Sequence, residues 1–405
     1  MASRPVLFPR PSGREWGSVR QYLSTEFLGG IALFFAVILA LVFANTPLRS
    51  AYVSITHFQL GYGAFRFDVK TWAADGLLAI FFTVAGLELR REMTHGDLKN
   101  PRRAALPILA ALCGMAFPAI IYTLINSGNH SAVHAWAIPT STDLAFSLTI
   151  LGVAGSRIPN ALRAFLLTLA ITDDVATIIL IAIFYSQRID WPLLAGSFAV
   201  LALYGFLQKK GFTAWWIAIP LGISAWAFMQ HSGVHATVAG VLVGLLTNPH
   251  RDRGDSSPVE RFERVLSPFS ALISVPFFAF VTIGIAISAA EIGTMWHDKI
   301  TYGIIIGRIF GKVIGIVGGA WLIAKLTKAE LNPALSWWDV ASIGMLGGIG
   351  FSVSLLVALI ALGNYPNELL AAQSGILFSG IIASILAVIV LQIRGRAHHR
   401  RSSPS

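Results

Sequence analysis

The sequence predicts an all-α integral membrane protein of about twelve transmembrane helices, and three observations carry that reading. Of 405 residues, 55% are hydrophobic and only 12% charged, where a soluble globular domain carries about 25% charged residues. Apolar runs of spanning length, about 20 residues each, recur along nearly the whole chain. The remaining charges fall mostly in the gaps between those runs, and unequally on the two sides. Strands of a membrane barrel would instead alternate apolar and polar positions over about ten residues, a pattern this chain lacks. The lone cysteine, Cys113, excludes a disulfide framework or a cysteine-based metal cluster.

In chain order, span 1 is read at 25–45, span 2 at 72–89, span 3 at 104–125, span 4 at 132–155, span 5 at 161–184 and span 6 at 192–207. Span 7 at 213–229 and span 8 at 233–247 are short and close together. Span 9 at 266–290, span 10 at 300–323, span 11 at 338–362 and span 12 at 369–393 complete the set. Gly and Pro inside these runs would break soluble helices, but membrane bundles tolerate them. Residues 1–24 are polar and basic, and the run that follows is too long for a signal h-region, so no cleaved signal is expected. With the N-terminus in the cytoplasm, 23 Lys and Arg fall on the cytoplasmic side and 5 outside. The positive-inside rule then places both termini in the cytoplasm. The domain reading is a cytoplasmic segment 1–24, a single transmembrane domain 25–393 and a basic cytoplasmic tail 394–405. The net charge of +10 is therefore a topology signal. The expected partners are a lipid bilayer and small cations, with no nucleic acid.

An ionisable group at mid-span costs at least about 2.5–3.5 kcal/mol, so each one asks for a function. Span 5 carries Thr172-Asp173-Asp174 deep inside an otherwise apolar helix. Helical neighbours lie about 100° apart, so both carboxylates can face a protein interior but not in one direction. Two ionised carboxylates this close repel strongly in a poor dielectric. One stays protonated, pairs with a cation, or binds a metal ion. A helix-capping or interfacial pair is the competing reading, which the apolar stretches on both sides disfavour. Span 10 carries Arg308 and Lys312, four residues apart and on one face. Lys312 is the available cation for the aspartates, unless it snorkels to the interface. Arg308 is given no role; it could reach Glu291, Asp298 or the interface.

Span 4 contains Pro139-Thr140-Ser141-Thr142-Asp143. Proline removes a backbone donor and four polar residues follow, so the helix is expected to break there. Freed carbonyls and hydroxyls are hard oxygen donors suited to a small cation; a plain proline kink with back-bonded hydroxyls is the alternative. Span 11 has Gly344, Gly347, Gly348 and Gly350 before Phe351-Ser352, which alone would be ordinary close helix packing. Spans 3–5 (near 104–184) and 10–12 (near 300–393) start seven positions apart, an odd number, so they run oppositely through the membrane. In both triplets the middle span is the interrupted one. Corresponding interrupted helices in inverted repeats point to a mid-membrane ion site in a secondary transporter.

Several stretches now share one resemblance. They are Phe81-Phe82-Thr83-Val84-Ala85-Gly86-Leu87-Glu88, Ala137-Ile138-Pro139 through Thr142-Asp143-Leu144-Ala145-Phe146, and Ile171-Thr172-Asp173-Asp174. Gly233-Val234-His235-Ala236-Thr237-Val238-Ala239-Gly240, Gly311-Lys312 and Leu346-Gly347-Gly348-Ile349-Gly350-Phe351 extend the series. In this order they resemble the NhaA family of bacterial Na⁺/H⁺ antiporters. The resemblance implies a multi-pass inner-membrane bundle in which spans 4 and 11 cross as broken helices. It also implies a protein that is not an enzyme, needs no cofactor, and exchanges Na⁺ or Li⁺ for H⁺, with a homodimer to be considered.

Carried over residue by residue, Asp174 looks like the principal Na⁺/Li⁺ ligand, with Asp173 beside it as the proton-linked partner of Lys312. Asp143 looks like the charge that compensates the broken helix ends, and Thr142 like a cation contact. Glu88, Arg91, Glu92, His235 and Glu263 resemble the family's cytoplasmic pH-response region. Read from the residues alone, Glu88 and Glu92 are ordinary interfacial charges beside Arg90 and Arg91, and His235 is a buried histidine satisfied by a backbone carbonyl. This chain departs from relatives that carry histidines near the start of span 9, where it has Arg264 and Ser267. It also departs where proline commonly follows the membrane lysine, since Val313 stands there. The expected function is an electrogenic, pH-regulated exchange of two H⁺ inward for one Na⁺ outward. A cation-selective channel shares the acidic lining and differs by lacking obligatory proton coupling.

Overall fold

Local caps decide where several of the apolar runs begin. Asp68 opens span 2 by accepting from Thr71 N at 2.7 Å, and Asp190 opens span 6 by accepting from Leu193 N at 3.1 Å. Spans 9 and 11 open on capping boxes, Ser257 with Glu260 and Ser336 with Asp339. Each cap supplies an acceptor to amides that a helix N-terminus leaves without intrahelical partners. The computed structural model describes residues 6–7, 13–99, 101–154, 159–186, 188–250, 256–285, 298–327, 330–331 and 335–402. Glu291, parts of the segment 1–24 and the last three residues of the tail lie outside the described residues.

Among the described residues, eight helices are long and apolar enough to cross a membrane, or ten if each of two bent pairs is one crossing. The bent pairs are spans 4 and 11. His130–Thr140 meets Leu144–Ala154 at 46°, and Trp337–Gly347 meets Ser352–Leu362 at 50°. Spans 7 and 8 are the helices Trp215–His231 and Thr237–Leu246, of 17 and 10 residues, both short of the usual crossing length of about 20. Gly233, at φ +84°, separates them with a backbone turn that favours glycine. Span 9 starts earlier than its apolar run, at Pro258, because the Ser257 capping box places the helix start there. Spans 2, 9 and 10 each contain a π-helical turn, at Trp72–Leu77, Ser270–Ser274 and Gly307–Gly311.

The chain divides into two compact units. The first comprises Met1–Ile31, Asn100–Asp174 and Ile285–Ser405. Within it, span 10 lies against span 3 along Gly311, Gly315 and Gly319, which share one helical face. A Cβ at these glycines would meet Pro118 Cα, Cys113 O and Ala110 Cα at 2.8, 2.3 and 2.8 Å. The second unit comprises Ala32–Lys99 and Val175–Gly284. There span 2 crosses span 8 with glycine on both sides. A Cβ at Gly86, Gly240 or Gly244 would sit 2.3 Å from the carbonyl oxygen of Val241, Ala79 or Thr83. Small residues at such spacing let two backbones touch where lipid gives helices no hydrophobic reason to associate. Leu87, Tyr204, Val259 and Phe262 form a buried cluster in this unit. A two-residue pairing, Gln59–Leu60 with Phe67–Asp68, makes a small antiparallel hairpin before span 2.

Candidate ion-binding site

The two interrupted spans meet at their breaks, inside the first unit. In span 4, Ile138–Thr140 is a single 3-10 turn with Pro139 at its start, and Ser141 is extended. Helix resumes after Asp143, whose Oδ1 accepts from Phe146 N at 3.1 Å in N-cap fashion. In span 11 the break follows Gly347, and Phe351 precedes the second half-helix without a side-chain cap. Asp143 supplies that cap from across the crossing: its Oδ2 accepts from Ser352 Oγ at 2.6 Å and Ser352 N at 3.3 Å. One carboxylate thus serves two helix N-termini, where partial positive charge collects.

The carbonyls freed by the breaks find side-chain and backbone donors in the same way. Leu346 O accepts from Ser147 Oγ at 2.8 Å, Gly347 O from Thr142 Oγ1 at 2.8 Å and Ile349 O from Asp143 N at 2.7 Å. Gly350 O accepts from Arg308. Buried backbone groups need partners, and this crossing meets the need with residues of the opposite span or of span 10. The glycines of span 11 allow it: a Cβ on Gly350 would lie 2.2 Å from Ser141 O, and one on Gly344 3.0 Å from Val313 Cα.

Lys312 stands beside this crossing, 1% exposed. Its Nζ donates to Asp173 Oδ2 at 2.7 Å and to Thr142 Oγ1 at 3.0 Å. Asp173 is fully buried, and its Oδ1 has no hydrogen-bond partner among the described residues. Asp174 is also buried and acts electrostatically on the same ammonium. The structure therefore gathers Asp143, Thr142, Asp173, Asp174 and Lys312 into one region of the first unit. It holds carboxylate oxygens, a hydroxyl and one ammonium with almost no exposure. Hard oxygens of this kind suit a small monovalent cation, and the orphaned Asp173 Oδ1 is an acceptor in want of a donor or a cation.

The residues matched to a pH-response region all lie in the second unit, but they do not form one cluster. Arg91 and Glu263 form an ion pair joining the ends of spans 2 and 9. Glu88 is buried, and the Glu92 carboxylate folds back against Gly96. His235 faces Asp75 Oδ1 at 3.5 Å. Asp75 lies 16 positions before Arg91, about 24 Å along a helix. The expected grouping of His235 with Arg91 and Glu263 is thus not present, because His235 is held at the other end of span 2. Asp75, not singled out from the sequence, also accepts from Gln230 Nε2 at 2.8 Å.

Arg308 departs most from expectation. It is fully buried, and Asp298, one of its expected partners, caps span 10 by accepting from Ile300 N at 2.7 Å. The guanidinium instead donates to Gly350 O, to Ser379 Oγ at 3.0 Å and to Ile138 O at 3.4 Å. A second missed pair is Asp339, fully buried, with Arg394 donating to it at 2.8 Å. The Ser336-x-x-Asp339 spacing was the available signal for that carboxylate.

Comparison with known proteins agrees with this architecture. The family described as "Na+/H+ antiporter 1" matches residues 20–391. The Na⁺/H⁺ antiporter NhaA 3 of Streptomyces coelicolor is 44% identical over 376 residues, covering 92% of this chain and 79% of that protein. The NhaA antiporter of Thermobifida fusca is 42% identical over 405 residues, covering 97% of each chain. Among solved structures, the sodium/proton antiporter MjNhaP1 of Methanocaldococcus jannaschii superposes with a TM-score of 0.57 at 14% identity. That superposition covers 95% of this chain and 98% of the other, a likeness of fold. Motifs, crossing helices and matched length converge: this multi-pass membrane chain belongs to the Na⁺/H⁺ antiporter 1 family, that of the NhaA antiporters.

Proposed function

We propose that this protein is an electrogenic secondary antiporter that expels Na⁺, or Li⁺, in exchange for entering H⁺, two H⁺ for each Na⁺. The buried Lys312–Asp173 ion pair beside Asp174 carries this reading. Na⁺ needs ionised oxygen ligands, so sodium and protons compete for one set of groups. Asp174 is the principal ligand in this reading and Asp173 the second, with Thr142 near enough to Lys312 to join them. When Na⁺ enters, the Asp173 carboxylate exchanges its ammonium partner for the cation and two mid-membrane groups release protons. One net positive charge then enters per cycle. At a membrane potential of 100 mV this is worth about 2.3 kcal/mol, enough to hold a roughly 50-fold outward Na⁺ gradient without a pH difference.

In the same reading the protein lies in the bacterial inner membrane with both termini cytoplasmic, as one transmembrane domain. The stretches near 104–184 and 300–393 are its inverted repeats, supported by the two breaks that meet at their middles. A homodimer belongs to the proposal, as do the roles of Glu88, Arg91, Glu92, His235 and Glu263 in setting the active pH range. Proton-coupled exchange is favoured over a channel by the family to which the chain belongs. Currents on a solid-supported membrane decide the matter. The expected result is a transient current on Na⁺ addition, with an apparent Na⁺ affinity that weakens steeply as pH falls. Silent exchange, or an affinity independent of pH, would overturn the mechanism.

A further inference from the structure

Asp143 and Arg308 divide the crossing between them. Asp143 takes amides from both interrupted spans, Phe146 N in span 4 and Ser352 N in span 11. Arg308 gives to carbonyls of both, Ile138 O in span 4 and Gly350 O in span 11. It also holds span 12 through Ser379 Oγ at 3.0 Å and Ile376 O at 3.5 Å. A planar fork with five N–H donors can span such a set, and a lysine ammonium on a flexible stem cannot match it. The local backbone makes room. Arg308 sits in the π-turn Gly307–Gly311, and a Cβ on Gly350 would press to 3.3 Å from its Nη2. Lys312, one turn further on, is committed to Asp173 and Thr142.

We propose that Arg308 is the fixed cation of the crossing, the positive counterpart of Asp143, which leaves the charge of Lys312 free to change during exchange. This inference rests on the proposed exchange at Asp173, Asp174 and Lys312. If one cation served both tasks, each proton it released would leave carbonyls at both breaks without a positive partner inside the membrane: Ile138 O in the last turn before the span 4 break and Gly350 O in the span 11 break. Such carbonyl oxygens carry partial negative charge. A guanidinium stays protonated across the working range and spares the crossing that excursion. Arg308 touches no transported ion in this scheme; it is a positioning residue that acts through the field and geometry it imposes.

The test compares Arg308→Gln, Arg308→Lys, the double variant Arg308→Gln with Asp143→Asn, and Asp174→Asn. Each is reconstituted in vesicles and assayed for Na⁺-triggered proton release across pH, alongside thermal unfolding in detergent. Losing a fixed positive charge lets protons compete with Na⁺ up to a higher pH. In Arg308→Gln the pH at which apparent Na⁺ affinity halves should move alkaline by about one unit or more. Arg308→Lys keeps the charge without the fork, so its profile should stay in place while turnover falls. Should Arg308→Gln fail to fold, removing the opposing charge in the double variant should restore folding. A folded Arg308→Gln with an unmoved profile, or a double variant that remains unfolded, overturns the proposal and leaves Arg308 as a hydrogen-bonded tie. Exchange that survives in Asp174→Asn would instead overturn the underlying site, whatever Arg308 does.

Discussion

Span 2 crosses span 8 through glycines, whereas span 4 meets span 11 through charges and hydroxyls, and both contacts bring backbones within van der Waals reach. In the glycine crossing, Gly86, Gly240 and Gly244 each face a carbonyl oxygen at a distance no Cβ could share. Close backbone approach, with no side-chain bulk at these glycines, makes that contact. In the polar crossing most of the backbone groups named above are held by the side chains of Asp143, Thr142, Ser147 or Arg308, with Ile349 O taken by Asp143 N. Each of those side-chain bonds depends on charge or on a hydroxyl's orientation, so a proton or a sodium ion can alter it. The lesson is a separation of tasks. A membrane helix pair can be brought into close contact without ionisable groups, so the costly charges kept at the other crossing ask for a function, which the proposed exchange supplies.

That contrast is broken most severely at the aspartate pair. Asp174→Asn keeps the shape and removes the charge, so transport and Na⁺ binding should vanish while thermal unfolding changes little. Sodium-driven proton movement from a well-expressed variant would sink the assignment of Asp174. Lys312→Ala should come next, and it should affect both stability and coupling. It leaves the fully buried Asp173 carboxylate without its partner, which costs about 3–5 kcal/mol for a buried pair. Denaturation in detergent reads the first effect and charge moved per Na⁺ the second; a stable variant with unaltered charge movement rejects both roles. Gly244→Ala tests the other crossing. Its Cβ would meet Thr83 O at 2.3 Å, and overpacking of this kind costs about 1–3 kcal/mol. Here the protein that still folds should show a wild-type pH profile, because no charge has moved.

Much of this was legible in the sequence, for physical reasons particular to membranes. An Asp pair and a Lys inside apolar runs stand out because the bilayer penalises them, and the structure brings Lys312 and Asp173 to 2.7 Å. Pro139 and the Gly344–Gly350 cluster mark the breaks because each disrupts a helical ladder or removes side-chain bulk. The partners of Arg308 were not legible, since backbone carbonyls carry no sequence signature, nor does the π-turn Gly307–Gly311 in which it sits. The shortness of spans 7 and 8 was legible but their ends were not: the helices run Trp215–His231 and Thr237–Leu246, where the apolar runs are 213–229 and 233–247. His235 shows a further limit. The family resemblance names it alongside Arg91 and Glu263, but its charged neighbour in three dimensions is Asp75.

Thr142 gives the smallest effect and the finest test of the polar crossing. Its hydroxyl donates to Gly347 O at 2.8 Å and accepts from Lys312 Nζ at 3.0 Å. The proton is therefore spent on the break and one lone pair on the lysine, which leaves a single lone pair for any cation. Thr142→Val preserves shape and removes both bonds. If the hydroxyl is chiefly a tether, stability falls by about 1 kcal/mol. Apparent Na⁺ affinity then falls by no more than about fivefold, the equivalent of that energy. Thr142→Ser, which can remake both bonds, should restore each quantity. An affinity loss well beyond tenfold at unchanged stability would instead make Thr142 a ligand of the transported ion. The tether would then pass to Ser147 and Asp143, which already bind Leu346 O and Ile349 O from the same side. Titrating Na⁺-triggered proton release against unfolding temperature for the three proteins separates these outcomes.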